Sequence, residues 1–235
     1  MKDRGQGRIG LLVPFTNTNL EPDMQRLAPP GVTIHSARLG GYDADETPDS
    51  AQMAELGAAD VEEPLRLIAG VRPDVILYGC TSATLAHGLA FDRDLTARAT
   101  AIARAPVVTA AGAVVAALTA LGVRRIALAS PYVAELNDRA VGFLAEAGIE
   151  TVGRADYPIA LGNYGQGELT PEEIMALARR ADCAEAEALL LSCTDMRAVE
   201  TIERLEAEIG KPLVTSNQAL MRAAIQTLMA AERAA

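Results

Sequence analysis

Aromatic side chains make up only 3% of this 235-residue chain and tryptophan is absent. Its core therefore has to be closely packed Ala, Leu, Ile and Val rather than large rings. Positive charge is also scarce, with 21 Lys and Arg against 31 Asp and Glu and a formal net charge of −10. No basic cluster stands out, which excludes nucleic acid and an anionic membrane surface as expected partners. No apolar run approaches the ~20 residues of a membrane span. The opening Met1-Lys2-Asp3-Arg4-Gly5-Gln6-Gly7 lacks the apolar core and small-residue cleavage site of a signal peptide. Cysteines number 3, too few and too similarly placed for a disulfide framework, so a cytoplasmic, reducing location is expected. His35 and His87 have no second ligand at metal-binding spacing, and no metal site is expected.

What the chain does have is 50% hydrophobic residues, arranged in short apolar runs that alternate with helical spacing. That is the pattern of βαβ units around parallel sheets. Strands are predicted at Ile9–Pro14, Val32–Ala37, Val75–Tyr78, Val107–Thr109, Arg125–Ala129, Thr151–Arg154, Ala188–Ser192 and Leu213–Thr215. The clearest helices are Ser50–Ala69, Ala110–Leu121, Ala134–Ala147, Thr170–Arg180, Met196–Ile209 and Gln218–Ala231, each with apolar residues three to four apart. Thr170 before Pro171, Glu172 and Glu173 marks a helix start by N-cap, first-turn proline and early acids.

Two segments read as copies of one another: Val75-Ile76-Leu77-Tyr78-Gly79-Cys80-Thr81-Ser82 and Leu189-Leu190-Leu191-Ser192-Cys193-Thr194-Asp195. In each, a buried-strand run stops at a small residue, then Cys and Thr. Each copy is followed by a helical stretch and a short strand ending in Thr, at Thr109 and Thr215. This echo predicts an α/β chain of two pseudo-symmetric lobes with parallel sheets, residues 1–109 plus 217–235 forming one and 110–216 the other. Parallel sheets bind ligands at the C-terminal ends of their strands, so Cys80 and Cys193 are expected to face one cleft from opposite sides. There the N–H groups and dipole of the following helix favour a thiolate.

The Thr81 and Thr194 hydroxyls and the amides after them, Ser82 included, are candidates to hold a carboxylate or an enediolate oxygen. Val13-Pro14-Phe15-Thr16-Asn17-Thr18-Asn19 is either a helix-capping loop or a substrate contact, with Asn17 as amide donor. Tyr132, in Ser130-Pro131-Tyr132 after an apolar strand, is either a packed aromatic or a hydroxyl reaching the substrate. Leu161-Gly162-Asn163-Tyr164-Gly165-Gln166-Gly167 fits neither a Walker A loop nor a dinucleotide fingerprint. As a lid it would bring Asn163 or Tyr164 over the substrate. Cys183, in a polar helix end, has no expected chemical role.

Val13-Pro14 with Asn17-Thr18, Tyr78-Gly79-Cys80-Thr81-Ser82-Ala83-Thr84, Ser130-Pro131-Tyr132, Ser192-Cys193 and Gly210-Lys211-Pro212-Leu213-Val214-Thr215-Ser216-Asn217-Gln218-Ala219 together resemble the cofactor-independent aspartate/glutamate racemase superfamily. Within it the likeness is to the maleate cis-trans isomerase and arylmalonate decarboxylase branch. The resemblance covers nearly the whole chain and implies two Rossmann-like lobes with the active site between them. It further implies that Cys80 adds to a double bond, that Cys193 donates and accepts a proton, and that Asn17, Tyr132 and Asn163 bind substrate. The decarboxylases retain only the second-half cysteine, whereas this chain has both. Phe15-Thr16 and the acid Asp195 depart from the isomerase pattern.

The expected function is cofactor-free isomerisation of a small unsaturated dicarboxylate, maleate to fumarate, by thiolate addition, rotation and elimination. A two-cysteine racemase acting on aspartate or an ectoine-pathway substrate is the alternative, with Asp195 a possible partner for an ammonium group. A two-lobed binding protein without catalysis is a third reading. A homodimer through apolar Ala/Leu helix faces is also expected.

Overall fold

The computed structural model describes residues 7–40, 61–162 and 164–234. Two parallel four-stranded sheets organise the chain. The first contains β1 (Gly7–Pro14), β2 (Val32–Leu39), β3 (Val75–Tyr78) and β4 (Val107–Thr109) in the order β2-β1-β3-β4. In the second, β5 (Arg125–Ala129), β6 (Glu150–Ala155), β7 (Ala188–Leu191) and β8 (Leu213–Thr215) stand in the order β6-β5-β7-β8. The two orders are the same permutation, so the protein consists of two pseudo-symmetric, Rossmann-like lobes. Their inner strands β3 and β7 are equivalent and buried along their whole length. That is why they read as unbroken apolar runs rather than as alternating ones.

Helices cover both faces: α1 (Leu20–Leu27), α2 (Glu62–Ala69), α3 (Thr81–Leu85), α4 (Leu89–Ala103), α5 (Ala110–Ala120), α6 (Ala134–Glu146), α7 (Gly165–Glu168), α8 (Pro171–Ala181), α9 (Ile202–Ile209) and α10 (Ser216–Ala234). A short 3-10 turn at Ala198–Thr201 precedes α9. Helix α8 starts at the N-cap expected from its sequence, and the structure adds a capping box, Thr170 accepting from the Glu173 N–H while Glu173 accepts from the Thr170 N–H. The helix expected over 50–69 is observed as α2, with 50–60 outside the described residues. Spacing did not mark α1 or α4. In α4 the buried positions are Asp92, Leu95, Ala99 and Ala103, a face too poor in large apolar residues to stand out.

The C-terminal helix α10 packs along α5 and touches β3 and β4 of the first sheet as well as β8 of the second. Small residues on its buried face, Ala219 and Ala224, and on α5, Ala113 and Ala117, let the helices approach closely. One buried cluster runs from Leu12 and Ile76 through Cys80, Tyr132 and Cys193 to Leu191 and Met196, so the lobes share a core and the thiols sit inside it. Among the described residues no helix is long and apolar enough to cross a membrane.

Candidate active site

Cys80 and Cys193 occupy the same place in their lobes, two residues past the ends of β3 and β7. Gly79 shows how tightly the first turn is built. A Cβ there would lie 2.2 Å from Leu20 Cδ2 and 2.6 Å from the Leu12 carbonyl oxygen, while the Gly79 N–H donates to that same carbonyl at 2.9 Å. Only glycine lets the end of β3 lie this close to β1 and the start of α1.

Both thiols are buried, with exposures of 5% for Cys80 and 3% for Cys193. Ser82 Oγ lies 3.7 Å from Cys80 Sγ. The phenol of Tyr132, itself buried, meets both Cys193 and Ser82 and feels the charge of either thiolate. The structure thus brings Cys80, Ser82, Tyr132 and Cys193 into one cluster at the junction of the lobes.

Burial overturns the expected lowering of the thiol pKa values. Cys80 is pushed up by burial, against which the Ser82 and Ala83 N–H groups and the Ser82 hydroxyl pull down only in part. Cys193 is pushed up to about 12, by burial first and then by the Asp195 carboxylate; the Tyr132 hydroxyl and the Asp195 N–H oppose this. A helix N-terminus follows Cys80 directly, but α3 is only five residues long, and desolvation of a thiolate outweighs its field. Cys193 lacks the expected helix, since a turn follows it and helical residues resume only at Ala198. The surroundings nonetheless differ. Cys80 faces N–H groups and a hydroxyl with no carboxylate among the causes of its shift, whereas Cys193 faces an acid. Cys80 is the thiol more easily ionised.

The two threonines are placed differently from the sequence expectation. Thr81 Oγ1 donates to Ser216 Oγ at 3.1 Å and Thr194 Oγ1 donates to the Gly79 carbonyl at 2.8 Å. Both hydroxyl protons are already committed within the protein, so neither is free to donate to a ligand. Asn17 is buried and accepts on Oδ1 from Leu20 N at 2.9 Å and Asn19 N at 3.1 Å, which satisfies free N–H groups at the start of α1. Its Nδ2 donates to Thr194 Oγ1 at 3.1 Å. The capping reading of this loop holds, and the bond to Thr194 leaves one amide hydrogen of Asn17 uncommitted among the described residues. Asn163 lies outside the described residues.

Asp195 does not cap the next helix, and one of its carboxylate oxygens is held by the first lobe. Its Oδ1 accepts from Thr18 N at 2.9 Å, Asn19 N at 3.1 Å and Asn19 Nδ2 at 3.1 Å, all from the first lobe. Burial holds its carboxyl up at about 6 despite these donors and the Arg38 charge.

Sequence reasoning missed Gln166, whose Oε1 is 3.6 Å from Cys193 Sγ; its place in the Gly-rich loop was the available signal. It missed Tyr78, whose buried hydroxyl has no hydrogen-bond partner among the described residues and is close enough to Cys80 to feel its charge. It also missed the brace behind Tyr132. Ser130 Oγ accepts from Tyr132 N at 3.2 Å and donates to Asn137 Oδ1 at 2.6 Å, and Asn137 Nδ2 donates to Tyr132 O at 3.3 Å and Asp156 Oδ1 at 2.7 Å.

A family model described as arylmalonate decarboxylase matches residues 9–235. A maleate isomerase of Pseudomonas putida is 30% identical over 234 residues, covering 94% of this chain and 91% of that protein. An arylmalonate decarboxylase of Bordetella bronchiseptica is 31% identical, covering 88% and 82%. Among solved structures, a cysteine-to-serine mutant of the Nocardia farcinica maleate cis-trans isomerase, with a covalently bound succinylcysteine intermediate, aligns at TM-score 0.87 and 28% identity, covering 94% of this chain and 92% of that one. The chain belongs to the arylmalonate decarboxylase family and is an enzyme.

Proposed function

From that membership, we propose that the enzyme isomerises maleate to fumarate by covalent catalysis at Cys80. The observation that carries the reading is the unequal pair of thiols: one bathed in N–H donors, the other beside a carboxylate and a phenol. Cys80 gives its proton to water, its thiolate adds to one alkene carbon, and the π pair moves onto the neighbouring carbon and its carboxylate as an enediolate. Cys193 gives its proton to that carbon, which leaves a succinyl thioether on Cys80. Rotation about the new single bond follows. Cys193 takes a proton back, the π bond re-forms, and the Cys80 thiolate leaves from fumarate.

Each neighbour has a part in this scheme. The Ser82 and Ala83 N–H groups stabilise the Cys80 thiolate as it forms for attack and as it leaves, Tyr132 holds the Cys193 proton toward the cleft, and the spare hydrogen of Asn17 Nδ2 meets a substrate carboxylate. Two buried thiols on one Cα–H would also serve a racemase, but an amino acid needs an acid for its ammonium group. Asp195, the acid nearest Cys193, already accepts three hydrogen bonds from the first lobe.

Purified protein incubated in deuterated water with maleate, aspartate and an arylmalonate, each followed by NMR, tests the reading. Fumarate accumulating from maleate is the expected result. Exchange of the aspartate α-hydrogen, or loss of carbon dioxide from the arylmalonate with maleate untouched, overturns it.

A further inference from the structure

Asp195 is buried, charged, and outside the reaction just described. Its Oδ1 gathers three donors from the loop that carries Asn17, and its backbone carbonyl accepts a further bond from Asn19 Nδ2 at 3.0 Å. Asn19 Nδ2 also reaches the Gly167 carbonyl at 3.1 Å, drawing in the Gly-rich loop beside Gln166. The three segments meet so closely that a Cβ on Gly167 would lie 2.9 Å from Asn19 Nδ2 and 3.1 Å from Asp195 Oδ1. On the other side the Asp195 N–H points at Cys193 Sγ, 3.4 Å away.

We propose that Asp195 is a positioning residue that works through two contacts at once, latching the first-lobe loop and the Gly-rich loop over the cleft and setting its charge beside the Cys193 sulfur. The latch fixes Asn17 and Gln166 relative to both thiols, because one carboxylate oxygen holds backbone N–H groups 176 and 177 residues away in sequence. The charge discourages a second thiolate, so Cys193 keeps its proton while Cys80 is free to lose its own. The groups facing this charge are Arg38 from β2 and Cys193 from its own turn; those facing Cys193 are Tyr132 and Cys80. A negative neighbour therefore acts on Cys193 selectively, since Asp195 is absent from the causes that shift Cys80.

The catalytic consequence rests on the reading of Cys193 as proton carrier, so the test is run on substrate-free protein and does not depend on turnover. All three bonds to the Asp195 side chain go to one oxygen, so Asp195→Asn keeps an acceptor for the latch and removes only the charge. Iodoacetamide labelling at mildly alkaline pH, quantified for each cysteine by mass spectrometry, is the readout for charge. Hydrogen exchange at the Thr18 and Asn19 amides is the readout for the latch. Asp195→Asn should raise Cys193 labelling roughly tenfold with Cys80 little changed, and leave the amide exchange as in the wild type. Asp195→Ala, which removes the acceptor as well as the charge, should speed exchange at the Thr18 and Asn19 amides at least about tenfold. An unchanged Cys193 rate in Asp195→Asn, or equal acceleration of both thiols, overturns the charge role. Unchanged amide exchange in Asp195→Ala overturns the latch. A protein that passes both tests yet leaves maleate untouched would defeat the isomerase reading alone.

Discussion

Asn17 Nδ2 donates to the Thr194 hydroxyl at 3.1 Å, and that hydroxyl passes its own proton to the Gly79 carbonyl at 2.8 Å. A line of bonds thus leaves the first-strand loop, crosses to the turn after Cys193 and returns to the residue before Cys80. The two thiols are held at a fixed separation by groups that belong to neither. The Ser216 and Asn217 start of α10 supplies a second crossing, with Asn217 Nδ2 donating to Asp23 Oδ2 at 2.8 Å and to Thr194 O at 3.0 Å.

Replacing Asn17 tests that line. Asn17→Ala leaves the Leu20 N–H without its acceptor inside a buried loop and removes the bond to Thr194, a loss of about 2 kcal/mol in urea unfolding. Asn17→Asp keeps the acceptor and places a negative charge where a substrate carboxylate is expected. It should unfold closer to the wild type yet raise KM for maleate at least about tenfold with a smaller effect on kcat. If both variants bind maleate as tightly as the wild type, Asn17 has no part in binding it.

The thiols should fail differently. Cys80→Ser is expected to abolish turnover, because a serine hydroxyl without a base is hardly ionised at neutral pH. Cys193→Ser should trap a thioether of substrate mass on the Cys80 peptide, since water can still protonate the enediolate while no thiolate is left to take the proton back. Intact-protein mass spectrometry reads the adduct. Identical silence from both variants with no adduct would refute the division of labour.

Tyr132 touches both Cys193 and Ser82 through its hydroxyl alone, while its backbone is braced separately by Ser130 and Asn137. Tyr132→Phe should therefore keep the turn in place, cost about 1 kcal/mol of stability for the lost buried hydrogen bond, and lower kcat on the order of a hundredfold. A variant with wild-type kcat would make Tyr132 a packing residue only.

How far these features could be read from residues alone depends on how far apart in sequence their causes lie. Strands β3, β4, β5 and β8 coincide with apolar runs bounded by turn residues, because burial on both faces leaves a contiguous local signature. The matching turns at Cys80 and Cys193 were legible as a repeat, and the equivalent strand orders follow from it. Partners were not legible: the Asn17 to Thr194 and Asp195 to Thr18 contacts each span 177 residues and exist only once the lobes close. The direction of the thiol shifts was misread for the same reason, since a helix N-terminus is a local feature whereas the burial that outweighs it comes from a cluster drawn from both lobes. Helix α3 is named by its sequence only through the Cys-Thr turn, being too short for periodicity to mark.

The acid that sequence spacing could not place offers the last prediction, through stability and pH. Asp195 has its pKa raised from 3.8 to about 6 in the folded protein, so between those values the folded state binds more protons than the unfolded one. Stability from this group is therefore fully present below about pH 4 and falls as pH rises toward about 6, by up to about 3 kcal/mol. The buried acids Asp23 and Asp92 are raised as well and act in the same sense, while Glu172, Glu187 and Glu208, lowered by their Arg and N–H partners, act in the opposite one. A wild-type profile alone would mix them. Asp195→Asn removes one contribution and changes the rest little, and any cost of burying the amide shifts its curve by an amount independent of pH. The difference in unfolding free energy, variant minus wild type, should therefore rise with pH by about 3 kcal/mol across that window and stay level above it. Urea unfolding at a series of pH values measures it directly. A flat difference would mean that the carboxylate is ionised as easily in the folded protein as in the unfolded chain, and that its three donors fully compensate for its burial.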